Sequence, residues 1–99
     1  MARDLWAYRE VAVESYVDRS GGVGIRPMAG QAFAPTMKVQ CARALREAYP
    51  VGTRFLLNAK MTDRQGGPHF LYAWHGDPVQ VLSAAAAKRF LLAFRRGRI

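Results

Sequence analysis

His69 and His75 are the side chains in this sequence best suited to proton transfer or metal ligation, and their spacing argues against both. They fall on one side of a predicted strand, six residues apart, which at ~3.3 Å per residue separates them by about 20 Å, too far to share a metal. Asp77 follows His75 closely, but no third ligand stands nearby. The lone cysteine, Cys41, falls on the apolar side of a predicted helix, where a thiol behaves as a small hydrophobe. Glu10 and Glu14 are four residues apart. On a strand that is about 13 Å, too wide for the carboxylate pair of a retaining glycosidase and wide for an inverting one.

No phosphate loop, dinucleotide fingerprint, G-x-S-x-G elbow or C-x-x-C pair is present. Gly21-Gly22-Val23-Gly24 is glycine-rich, but it lacks the lysine and the strand-to-helix setting of a phosphate site. The expectation is therefore no metal and no cofactor, with enzymatic activity unsupported.

Charge is the global signal. The chain carries 15 Lys and Arg against 7 Asp and Glu, a net charge of +8. Residues 1–49 contribute +2 and residues 50–99 contribute +6. Lys88, Arg89, Arg95, Arg96 and Arg98 concentrate the charge on the last helix and tail, while Arg54 and Lys60 share a strand face. Such a field attracts polyanions and supports salt-dependent binding of nucleic acid. Phe70, Tyr72 and Trp74 alternate along one strand. Facing inward they fill a core, the expected placement; facing the open side of the sheet they form a stacking platform for bases. The bias of 12 Arg to 3 Lys, with abundant Ala and Gly, also fits a GC-rich bacterial genome, which explains some arginines without a function.

These residues need elements to hold them. Ser83 is a good N-cap; Ala84 to Ala87 favour helix, and Ala87, Phe90, Leu91 and Phe94 share a face, predicting a helix over 83–96. Met37, Cys41 and Leu45 at helical spacing, bounded by Pro35 and Pro50, predict a second over 36–49. Phe55, Leu57, Ala59 and Met61 alternate with Arg54, Leu56, Asn58 and Lys60, which predicts a strand. The turn Asp63 to Pro68 leads to a second strand at His69–His75, and Val79–Leu82 predicts a short edge piece. Val11, Val13, Tyr16 and Val17, followed by Asp18 to Gly22, predict a further hairpin.

The turns Asp18-Arg19-Ser20-Gly21-Gly22 and Asp63-Arg64-Gln65-Gly66-Gly67 lie 45 residues apart, and the same offset superimposes the two predicted helices. The expected fold is α+β within a single domain. It has a four- to five-stranded, largely antiparallel sheet with two helices on one face, duplicated as ββα-ββα over residues 5–49 and 50–96. The other face is then open, with Leu56 and Leu71 on it. Three functions follow: nucleic-acid binding through the basic second half, self-association as a homo-oligomer through the open face, and small-molecule binding or catalysis at the histidines. The single cysteine fits a cytoplasmic location, and the longest apolar stretch, interrupted by Lys88 and Arg89, is too short to span a membrane.

Overall fold

A computed structural model describes residues 7–63 and 66–95. The N-terminal hairpin forms where β-branched residues alternate: β1 spans Arg9–Val17 and β2 spans Val23–Pro27, antiparallel, with Val17 opposite Val23. Asp18 fastens the turn. Its Oδ1 accepts the backbone N–H of Ser20 (2.9 Å) and Gly22 (3.0 Å) and the Ser20 hydroxyl (2.6 Å). These bonds, the hydroxyl foremost, hold its carboxyl below the usual value. Across the hairpin Glu14 accepts from Arg26 Nε at 2.9 Å, and the Arg26 guanidinium lies 4.4 Å from the centroid of the Tyr16 ring. Gly24 lets that ring lie flat on the neighbouring strand, since a Cβ there meets it at 3.0 Å.

The long central strand β4, Arg54–Thr62, pairs antiparallel with β1 along one edge. It also pairs antiparallel with two short strands, β5 at Phe70–Tyr72 and β6 at Gln80–Leu82. Between β2 and β4 the chain adds β3, Val39–Gln40, and a single helical turn, α1, Ala44–Glu47. β3 pairs parallel with β5. The order β2-β1-β4-β5-β3, with β6 off the path on β4, makes a six-stranded mixed sheet. The sheet curls until β2 and β3 meet again, nearly closing a barrel. The fold is α+β, as expected, and the N-terminal hairpin and the β6 edge piece are both present.

The inside of the curl holds Val11, Val13, Ile25, Leu45, Phe55, Leu57, Ala59, Leu71 and Ala73, with Met37, Val39 and Cys41 packed against them. Ser15 is the buried polar side chain among them; its Oγ accepts the Gly52 N–H at 3.0 Å, so its burial leaves no lone group. Outside the curl lies α2, Ala84–Arg95. Ser83 caps it as expected, Oγ accepting the Ala86 N–H at 3.1 Å. Ala87 packs on Ala12 and Leu82, with Leu56, Phe90 and Leu91 around them.

Four expectations need correction. The helix expected over 36–49 is helical only at Ala44–Glu47, because 38–40 extends to pair with β5: Leu71 N–H donates to Lys38 O and Ala73 N–H to Gln40 O, both at 2.9 Å. The two helices are on opposite faces. Val11, Ala12 and Val13 are all fully buried, so β1 is apolar on both sides; Leu45 covers the inner side and α2 the outer. The duplication is not shown, since one unit ends in a single inner turn and the other in a three-turn outer helix. The core is correspondingly two clusters, one inside the curl and one beneath α2. Finally, Leu56 and Leu71 are not on a bare face, for Leu71 is fully buried inside and Leu56 lies half-buried beneath α2. The self-association expectation loses the residues that carried it. Among the described residues no helix is long and apolar enough to cross a membrane.

Candidate nucleic-acid interface

α2 covers only part of the outer sheet face. Beyond it, cross-strand register lines up side chains of mixed chemistry. Lys60 of β4 stands opposite Tyr72 of β5, and Tyr72 stands beside Gln40 of β3. On the other edge of β4, Arg9 pairs with Ala59, which brings Tyr8 next to Lys60; Lys60 Nζ is 5.7 Å from the centre of the Tyr8 ring. Tyr8, Lys60, Tyr72 and Gln40 thus form one row across the sheet. With strands ~4.8 Å apart, the row spans about 14 Å. A second row, two residues along, holds Thr62, Phe70 and Lys38.

The orientation of β5 corrects the expectation that Phe70, Tyr72 and Trp74 line the core. Leu71 and Ala73 are the buried residues; Phe70 and Tyr72 are half-buried and Trp74 is exposed. Leu71 and Ala73 turn inward instead, where they pack with Val39 and Ala59. Trp74 continues on the side of Tyr72 past the strand end. Its ring is folded onto the backbone of Gly76, where any Cβ collides with it, and lies 5.6 Å from His75 at a tilt of 52°.

The basic residues expected to act together divide into separate places. Arg54 is six residues from Lys60 along β4, about 20 Å away. It joins Lys88 and Arg95 around a recess of about 360 Å³ floored by Met28, Leu91 and Leu92. Among the described residues no carboxylate pairs with any of these three cations. Arg89 is exposed, two residues from buried Ala87 and about 200° around the helix, on the solvent side. Arg96 and Arg98 lie outside the described residues.

A larger cleft, about 650 Å³, opens between β3 and residues 67–70, and Cys41 and Arg46 also line it. Burial pushes the Cys41 thiol above its ordinary value, and the charge of Arg46 opposes this only in part. A thiolate is the reacting form, so the rate of Cys41 alkylation by iodoacetamide is expected to rise with a midpoint above pH 9. A midpoint at or below the ordinary thiol value contradicts the burial described. His69 lines the same cleft, whereas His75 is in the turn after β5. Among the described residues no three His, Cys, Asp or Glu side chains converge as a metal site.

Tyr8, Gln40 and Lys38 are members of the rows that sequence reasoning missed. Their signal is cross-strand register, which residue periodicity does not carry. Comparison with family models, with curated proteins and with solved structures finds no match to this chain.

Proposed function

We propose that the protein binds single-stranded nucleic acid along the outer face of β4, β5 and β3. The observation that carries this reading is the row Tyr8, Lys60, Tyr72, in which a cation sits in register between two aromatic rings. Bases stack on aromatic faces regardless of sequence, while a positive charge between them meets the phosphate backbone. The net charge of +8 supplies the long-range attraction. Arg54, Lys88 and Arg95 extend the positive surface towards α2, where a strand leaving the platform meets further phosphate contacts. The platform is sequence-tolerant, because the row offers stacking and charge with only one side-chain amide, that of Gln40, to read base edges.

Fluorescence anisotropy with a labelled single-stranded oligonucleotide at ~50 mM salt tests the reading. Tyr72→Ala is expected to weaken binding by about 1–3 kcal/mol, roughly 5- to 150-fold. Lys60→Gln is expected to reduce the slope of log affinity against log salt by about 0.7, one phosphate contact on a single strand. Replacing Arg54, Lys88 and Arg95 together by glutamine is expected to reduce it by about 2. No binding by the wild-type protein, or unchanged binding by Tyr72→Ala, rejects the proposal.

A further inference from the structure

The cleft between β3 and residues 67–70 has the size and the chemistry of a ligand site. Its volume of about 650 Å³ falls in the range of small-molecule pockets, roughly 300–1,000 Å³. Lys38 and Arg46 bring two cations to its lining and His69 an imidazole, and among the described residues no carboxylate lines it. Phe70 and Pro68 offer flat apolar surfaces, and Gln40 an amide that both donates and accepts. A lining that combines rings and aliphatic groups with two cations complements a planar ring joined to an anion. Bare phosphate leaves the apolar wall unused, and an uncharged ring leaves the cations unmet.

We propose that this cleft holds one nucleotide unit, its base against Phe70 and Pro68 and its phosphate towards Lys38 and Arg46. The unit has two sources of the same chemistry: a free mononucleotide, or one nucleotide of a bound strand. The second source rests on the function proposed above. Geometry joins the two places, because Lys38, Gln40 and Phe70 line the cleft and also belong to the rows on the outer face. A strand lying across Tyr8, Lys60 and Tyr72 reaches the mouth of the cleft without leaving the sheet.

Cys41 lies in the cleft lining and reports occupancy. The rate of its alkylation is measured with AMP, with inorganic phosphate, with adenosine, and with a single-stranded oligonucleotide. Millimolar AMP is expected to slow the reaction several-fold, and phosphate or adenosine alone far less. Arg46→Gln, at an exposed position, is expected to raise the AMP concentration needed by about tenfold, the effect of one charge-assisted contact. Tyr72→Ala is expected to leave protection by AMP unchanged. No slowing by AMP, or equal slowing in Arg46→Gln, overturns the inference. Oligonucleotide binding without AMP protection removes the cleft site and leaves the proposed function standing. AMP protection without oligonucleotide binding leaves the cleft site standing and removes the proposed function.

Discussion

Phe55→Ala is expected to destabilise the protein by about 3–5 kcal/mol, measured by urea denaturation. Phe55 is fully buried and sits where β4 is flanked on both edges, opposite Val13 of β1 and Val81 of β6. Its ring meets Tyr49 edge to face, centroids 5.2 Å apart at 77°. Truncation removes that contact together with the packing on both sides, and a nearly closed barrel has little freedom to collapse into the gap. A chain of 99 residues has a total stability of about 5–15 kcal/mol, so the variant is brought close to its unfolding threshold. A loss under about 1 kcal/mol places Phe55 outside the core and removes the inner cluster as described.

Leu71→Ala is expected to cost about 2–5 kcal/mol, while Tyr72→Ala, one residue along, changes stability by under about 1 kcal/mol. Successive side chains on a strand point to opposite faces. Leu71 is fully buried beside Val39 and Met61, whereas Tyr72 is half-buried on the outer face beside Lys60. The pair therefore reads the orientation of β5 directly. The reversed result turns the aromatics inward, dismantles the row Tyr8–Lys60–Tyr72 and takes the proposed function with it.

How much of this was legible in the sequence depends on whether a pattern had one reading or two. Phe55, Leu57 and Ala59 alternate with polar residues and identify β4 and its inner face without help. Ser83 and the alanines after it identify α2 in the same way. Met37, Cys41 and Leu45 fit a helical stripe, but Met37, Val39 and Cys41 also alternate at strand spacing, and both patterns use the same two residues. Pairing with β5 selected the second, an interaction spanning some 30 residues that no local window contains. The Phe70–Trp74 stretch was ambiguous in another way. Leu71 and Ala73 are apolar too, so composition favoured the larger aromatics for the core, whereas the inner cluster takes Leu71 and Ala73. The basic residues were visible as charge, but their division into a recess at α2 and a row at β5 follows from register alone.

The placement of β1 has a consequence for how the chain is made. Its outer edge is closed by β2 only a few residues later, but its other edge waits for β4, whose first residue comes 37 positions after the end of β1. During synthesis at ~5–20 residues per second, the N-terminal hairpin exists for seconds before β4 arrives. Through that interval Val11, Val13 and Ile25 have no inner layer over them, and a row of backbone donors and acceptors stands unpaired. Arg9, Glu10 and Glu14 carry charge along this edge, and charge is how natural strands discourage pairing with a neighbouring chain. The interval before β4 is thus the most aggregation-exposed stage of biogenesis, and a translational pause before Arg54 lengthens it.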